Sequence, residues 1–353
     1  MTFRRTLLAL HQWIGLAAGL FLIVIGASGS ALVFENEIDR TLNPALSYVA
    51  VRERPLPIET LIARFERAYP DERVAGVRIA DSPDQAYELS LRSRQSAMID
   101  PYSGAVLGLR DRERTFARQL HLLHTRFLAG ETGEAIVGWF TVAMLALAAS
   151  GLVLWWPRKI VTVGGAASWK RTIFDLHNVV GFYSSVVLLA ITTSGVLIAF
   201  ERTTDPLVRT LNAAPEPVQP QSVPPHGGAM RIEVDRALAT ANAALPGAFA
   251  SNVNVPSAPT AVYRVLMKYP EDRTPAGRSR VYVDQFSGAV LLVENTRTAP
   301  LGTRILNLKR SAHTGDIFGA PTRALYFAVS LGIALQAITG AAIWWNSRRR
   351  ATR

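Results

Sequence analysis

The stretch RTLLALHQWIGLAAGLFLIVIGASGSALVFE, Arg5 to Glu35, decides the fold, because it recurs at a constant offset of 166 residues as Arg171 to Glu201. Arg5 falls on Arg171, Thr6 on Thr172, Leu10 on Leu176, His11 on His177, Gly15 on Gly181, Ser28 on Ser194, Gly29 on Gly195, Phe34 on Phe200 and Glu35 on Glu201. After its histidine each copy holds more than twenty mostly apolar residues. At about 1.5 Å of rise per residue, that is enough to cross a hydrocarbon core roughly 30 Å thick. Each copy therefore reads as a membrane span with an imidazole near one end, and the chain as an internal duplication.

A second repeat follows at an offset of 189 residues: His124-Thr125 falls on His313-Thr314, Gly130 on Gly319, Gly151 on Gly340 and Trp155-Trp156 on Trp344-Trp345, while His121 falls on Arg310. These fix a second and a fourth span. Their paired tryptophans mark an interface.

The bulk properties agree. A composition 49% hydrophobic with a mean hydropathy of +0.17 is that of a membrane protein. The net charge of +11 is concentrated in Arg4, Arg5, Arg158, Lys159, Lys170, Arg171, Arg348, Arg349, Arg350 and Arg353, which flank the spans and leave about +1 for the rest of the chain. Short basic segments stay cytoplasmic, so the excess records topology, and no nucleic-acid partner is implied. The absence of cysteine excludes disulfides, thiolate zinc and cysteine-ligated iron-sulfur clusters. The opening MTFRRTLLAL has the twin arginine of an export signal, but its apolar run is too long for one and recurs in mid-chain.

The expected architecture is a polytopic α-helical membrane protein: four transmembrane helices as two parallel repeats, each with a small periplasmic α+β domain. The spans are placed at 1–34, 135–157, 172–200 and 323–346, the α+β segments at 35–134 and 201–322, a cytoplasmic loop at 158–171 and a cytoplasmic tail at 347–353. Both termini are expected in the cytoplasm of a bacterial inner-membrane protein. Within the first α+β segment, PIETLIARFERAYP puts Leu61, Ile62 and Phe65 on one helical face, YELSLRS alternates as a strand, and AMIDPYSGAVLGL reads as two strands joined at Ser-Gly. RTFARQLHLLHTRFLAG is amphipathic and carries His121 and His124. In the second half, a proline-rich linker, APEPVQPQSVPPHGG, precedes a helix with Val234, Leu238 and Ala241 on one face. VYRVLM and RVYVDQFSGAVLLV then read as strands, with DQFSGAVL repeating DPYSGAVL.

Of the six histidines, four survive the duplication as two pairs, His11 with His177 near the cytoplasmic face and His124 with His313 near the outer one. A pseudo-twofold along the membrane normal lets each pair face across a common axis, as a planar macrocycle with two axial imidazoles needs. A lone histidine at a membrane boundary is more often an interfacial hydrogen-bonding residue. An ionisable group inside a span is nevertheless functional by default, and two independently repeated positions favour ligation. His11, His177, His124 and His313 are therefore the candidate ligands of two haems. His121 is a further candidate, and Arg5 and Arg171 are candidates for haem propionates, although the cytoplasmic charge bias alone explains these arginines. Small residues on the histidine faces, Gly15, Ala18, Gly26 and Gly29 after His11 and Gly181, Ser184 and Gly195 after His177, suit a flat ring or, equally, close helix packing. His226 reads as a solvated loop residue, and Glu35 and Glu201 as caps or cation contacts at the outer ends. No Walker A, GxGxxG, HExxH or GxSxG motif is present, and the loop at 158–171 is too short for a flavin or nucleotide domain.

HQWIG and HNVVG at the first and third spans, HTRFLAG and HTGDIFG before the second and fourth, and the DPYSGAVL and DQFSGAVL turns resemble the PepSY-associated transmembrane family. The resemblance covers nearly the whole chain. In the FoxB-type siderophore reductases of that family it implies four spans, two periplasmic PepSY units and two b-type haems held at positions 11, 177, 124 and 313. It also implies reduction of ferric siderophore to ferrous iron on the periplasmic side. The electron donor would be quinol or a cytoplasmic flavoprotein. The alternative is a haem-free, membrane-anchored PepSY protein that binds a periplasmic peptide or protease. A transporter is less well supported, because no span shows a midplane break with polar ligands.

Overall fold

A computed structural model describes residues 2–155, 168–212, 219–226, 228 and 230–351, without the side chains of 349–351. Trp156, Arg158, Lys159, Arg353 and the first part of the proline-rich linker lie outside the described residues. The chain forms two compact units, one of Met1–Glu35, Gln119–Leu207 and Leu308–Arg353, the other of Asn36–Arg118 and Val208–Asn307.

The first unit holds the four helices that are long and apolar enough to span a membrane: α1 (Phe3–Leu32), α6 (Gly130–Trp155), α7 (Trp169–Ala199) and α11 (Ala320–Ala351, its apolar span ending at Arg348). α1 packs on α6 and α11, and α7 packs on the same two, so the duplicated helices α1 and α7 occupy diagonal corners of a four-helix ring. Ala18, Leu22, Met144, Ala148, Leu188 and Ile333, drawn from all four helices, form its core. Glycine sets the approach of α1 to α11: a Cβ on Gly26 would lie 2.7 Å from the Ser330 carbonyl oxygen and 3.0 Å from Ile333 Cβ. Close backbone contact through small residues is how helices associate where lipid removes the hydrophobic drive. Two shorter helices, α5 (Phe116–Arg126) and α10 (Leu301–Thr314), precede α6 and α11. From Gln119 and Leu308 onward they group with the spans, whereas the sequence places them in the α+β segments.

The second unit is an eight-stranded antiparallel sheet. Past α2 (Glu35–Leu42) and α3 (Pro44–Ser47), its first half is α4 (Ile58–Ala68), β1 (Val74–Arg78), β2 (Tyr87–Leu91), β3 (Gln95–Ile99) and β4 (Val106–Asp111). Past α8 (Glu201–Leu211), the second half repeats the order with α9 (Val234–Ala244), β5 (Phe249–Asn254), β6 (Tyr263–Lys268), β7 (Ser279–Val283) and β8 (Val290–Glu294). The strand order β4-β3-β2-β1-β5-β6-β7-β8 is palindromic: two four-stranded meanders meet where β1 pairs with β5 through Gly76↔Asn254, Val77↔Val253 and Arg78↔Asn252. The sequence reads two separate small domains; the structure joins them in one sheet with one core, in which Leu61, Phe65, Val77, Leu89, Val253, Val265 and Val281 are fully buried.

The two helices on this sheet cap each other. Asp235 accepts the amides of Ile58 and Glu59, each at 2.9 Å, at the start of α4, and Glu59 accepts the amide of Val234 at 2.8 Å at the start of α9. Each carboxylate satisfies orphan donors at the positive end of the partner helix. The DPYSGAVL and DQFSGAVL repeats are the β3–β4 and β7–β8 turns. Asp100 accepts from the amide of Tyr102 and Asp284 from that of Phe286, and Gly104 (φ 72°) and Gly288 (φ 76°) take the left-handed backbone that the turn requires.

Candidate functional site

The four repeated histidines each meet a neighbouring helix in the same way. His11 on α1 lies against Gly151 of α6, and His177 on α7 against Gly340 of α11; a Cβ on either glycine would come within 3.3 Å of the imidazole Cε1. His124 on α5 lies against Gly29 of α1, and His313 on α10 against Gly195 of α7, where the corresponding separations are 2.7 and 3.1 Å. Gly29 and Gly195 thus make room for imidazoles from other helices, whereas Gly15, Gly26 and Gly181 face Leu147, Ser330 with Ile333, and Gln336, as helix packing requires.

Every one of the four rings has its Nδ1 anchored. His11 Nδ1 is 2.8 Å from Ser150 Oγ and His177 Nδ1 is 2.9 Å from Thr339 Oγ1. Both hydroxyls give their own protons to helix carbonyls one turn back, Ser150 to Ala146 and Thr339 to Leu335, each at 2.6 Å, so Nδ1–H donates and Oγ accepts. His124 Nδ1 donates to the carbonyl of Ile25 at 3.0 Å and His313 Nδ1 to that of Ile191 at 2.9 Å. Ser28 Oγ adds a 3.2 Å contact at His124. Anchoring Nδ1–H leaves Nε2 as the bare lone pair, which is how a metal-ligating imidazole is held and oriented. The two offsets of the duplication superpose these partners as well: Ser150 falls on Thr339, and Ile25 on Ile191.

One pair of rings also comes together. The centres of His124 and His313 are 6.1 Å apart with their planes at 49°. Two imidazoles that share one metal through Nε2, each at a bond of about 2 Å, have centres roughly 6 Å apart, so this pair has the separation that a haem iron between them requires. Burial, then the adjacent His313, pushes the His124 imidazole down to about 3, and burial lowers His313 as well. Both rings are therefore neutral at physiological pH, the form that binds metal. His11 and His177 stand on the diagonal helices α1 and α7. Along α1, His11 and Gly29, which receives His124, are eighteen residues apart, or about 27 Å. The two pairs thus sit near opposite ends of the bundle.

The remaining candidates fall elsewhere. His121 is one helical turn before His124 and close enough to influence its charge. Arg310, at the equivalent position, does the same to His313. Arg5 is exposed, and Arg171 is engaged by the buried Asp175 at 2.8 Å. Glu201 pairs with Lys309 at 3.3 Å, and His226 is exposed in its loop. Among the described residues no three His, Asp or Glu side chains gather as a metal cluster. The hydroxyls of Ser150 and Thr339 are the functional groups that the sequence reading passes over. Their signal was a hydroxyl repeated at the 189 offset immediately before the repeated Gly151 and Gly340.

No curated protein matches the chain. Residues 8–347 match the family described as the PepSY-associated TM region. With that match running from the first span to the fourth, this four-span chain belongs to the PepSY-associated TM family.

Proposed function

We propose that this chain is a di-haem b protein of the bacterial inner membrane that passes electrons outward to a ferric siderophore. His11 and His177 would hold one haem and His124 and His313 the other. The observation that carries this reading is the common posture of the four imidazoles, each set against glycine with Nδ1 bound and Nε2 free, together with the 6.1 Å approach of His124 to His313. Bound there, each haem would supply a one-electron carrier, and two histidines at each site suit electron transfer over oxygen chemistry. The chain's part is to keep the imidazoles neutral and oriented, to exclude water with the apolar faces of the spans, and to place one pair near each face of the bilayer. Reducing Fe3+ to Fe2+ weakens its hold on hard oxygen donors and releases the metal from its chelator.

The basic ends at Arg4, Arg5, Lys170, Arg171 and Arg348 argue for cytoplasmic termini and for a periplasmic sheet unit built of two PepSY-like halves. The donor would then be quinol or a cytoplasmic flavoprotein. An optical spectrum of the detergent-purified protein tests the reading. Dithionite-reduced protein is expected to show a b-type haem band at two haems per chain. Alanine at any of positions 11, 177, 124 or 313 should remove one of the two haems, and His121→Ala neither. A spectrum without haem would leave the anchored peptide- or protease-binding protein as the reading of the fold.

A further inference from the structure

The two histidine pairs are anchored by different chemistry. At the pair near the basic ends, the Nδ1 acceptors are side-chain hydroxyls, Ser150 and Thr339. At the other pair each Nδ1 has a main-chain carbonyl, Ile25 or Ile191, which no substitution removes, with the Ser28 hydroxyl as a longer second contact at His124. Ser150 is on α6 and Thr339 on α11, so each reaches across a helix interface to a ring on α1 or α7, and neither has a role in its own helix beyond the back-bond to the preceding turn. Such back-bonds slightly weaken a helix. Two of them at equivalent places, each turned on an imidazole, call for a reason outside helix stability.

We infer that Ser150 and Thr339 are the positioning residues of the His11–His177 centre, fixing its tautomer and setting its electron affinity independently of the outer centre. The inference rests on the di-haem reading above. Without an acceptor for Nδ1–H in a span that excludes water, nothing holds the proton on Nδ1, and it can sit instead on Nε2, the nitrogen needed for ligation. Where ligation persists, an imidazole whose Nδ1–H has lost its acceptor is a poorer electron donor, and the oxidised iron is held less well.

The test uses the full-length protein in detergent, with Ser150→Ala, Thr339→Val and the double variant, and reads haem per chain and an optical redox titration. His11→Ala supplies the reference for the outer centre alone. The expected result is a loss of haem affinity of roughly 10- to 100-fold at one centre only, and a raised midpoint potential for whatever haem that centre retains. The outer centre keeps the spectrum and potential seen in His11→Ala and so controls for folding. Ser150→Thr and Thr339→Ser are expected to restore both haems and both potentials. Two haems with unchanged potentials in the double variant would overturn the inference, as would equal damage to both centres. An unsubstituted protein without haem would overturn the di-haem reading itself, and is told apart from the other failures because it needs no variant.

Discussion

A glycine stands where each imidazole leans, and the clearance differs from site to site. On Gly29 an added Cβ would lie 2.7 Å from His124 Cε1, below any ordinary contact, whereas on Gly15 the nearest atom is Leu147 Cδ2 at 3.7 Å. Gly29→Ala is therefore expected to displace His124 and lower haem at the outer centre, while Gly15→Ala leaves both centres intact. Haem counted per chain in the two variants checks this. The carboxylate of Asp284 offers a pH test. Burial opposes its charged form, but bonds from Ser287, Ser222 and Phe286 outweigh burial and hold its pKa below the ordinary 3.8. A depressed carboxylate stabilises the fold above its unfolded pKa, and that contribution is lost as pH falls through the folded value. The sheet unit of Asp284→Asn should accordingly lose less stability than the wild type as pH falls from about 5 to below 3.8 and on through the depressed folded value, as measured by urea unfolding at each pH. At this scale the histidines are legible in the sequence because duplication repeats them. Their hydroxyl and carbonyl partners are not, because each comes from another helix, and a repeat identifies equivalent positions without saying what touches what.

Among elements, the central seam of the sheet is the shortest of its strand pairings. β1 and β5 meet over three residue pairs, and a Cβ on Gly76 would lie 2.9 Å from the Val253 carbonyl oxygen, a main-chain atom that cannot step aside. Gly76→Val should push the two meanders apart at a cost of about 1–3 kcal/mol, visible as faster amide exchange in β1 and β5 than in β3 or β7. Asp235→Ala removes the acceptor of two amides at the start of α4 and should cost about 1–2 kcal/mol by the same measurement. The seam also shows why the sheet was only partly legible. α4 and α9 announce themselves through apolar residues at helical spacing, and β2, β3, β4, β6, β7 and β8 through alternation or a Ser-Gly turn. β1 (VAGVR) and β5 (FASNVN) interrupt the alternation with glycine, serine and asparagine, and each completes its face only by pairing with the other half of the chain.

For the whole molecule, the number of spans carries the functional argument. One α+β segment lies between the first and second spans and the other between the third and fourth, so both must emerge on the same side of the bilayer, and the proposed topology, for which the basic ends of the spans argue, puts that side away from the cytoplasm. The chain has no cysteine, which makes the point directly testable. In intact spheroplasts a membrane-impermeant maleimide is expected to label Ser93→Cys, in the exposed β2–β3 turn, and to miss Ser347→Cys beside the basic tail until the membrane is opened. Electron flow should follow the same polarity. In sealed vesicles of known orientation with the haems pre-reduced, a membrane-impermeant ferric chelate should reoxidise them when added on the side that labels position 93, and His124→Ala should abolish that reaction. On the proposed topology the His124–His313 pair is the one nearer the chelate, and the His11–His177 pair lies about 27 Å further along α1. Reoxidation from the side of position 347, or at equal rates from both, would mean that the two centres do not conduct outward and that the sheet unit serves some purpose other than receiving the electron acceptor.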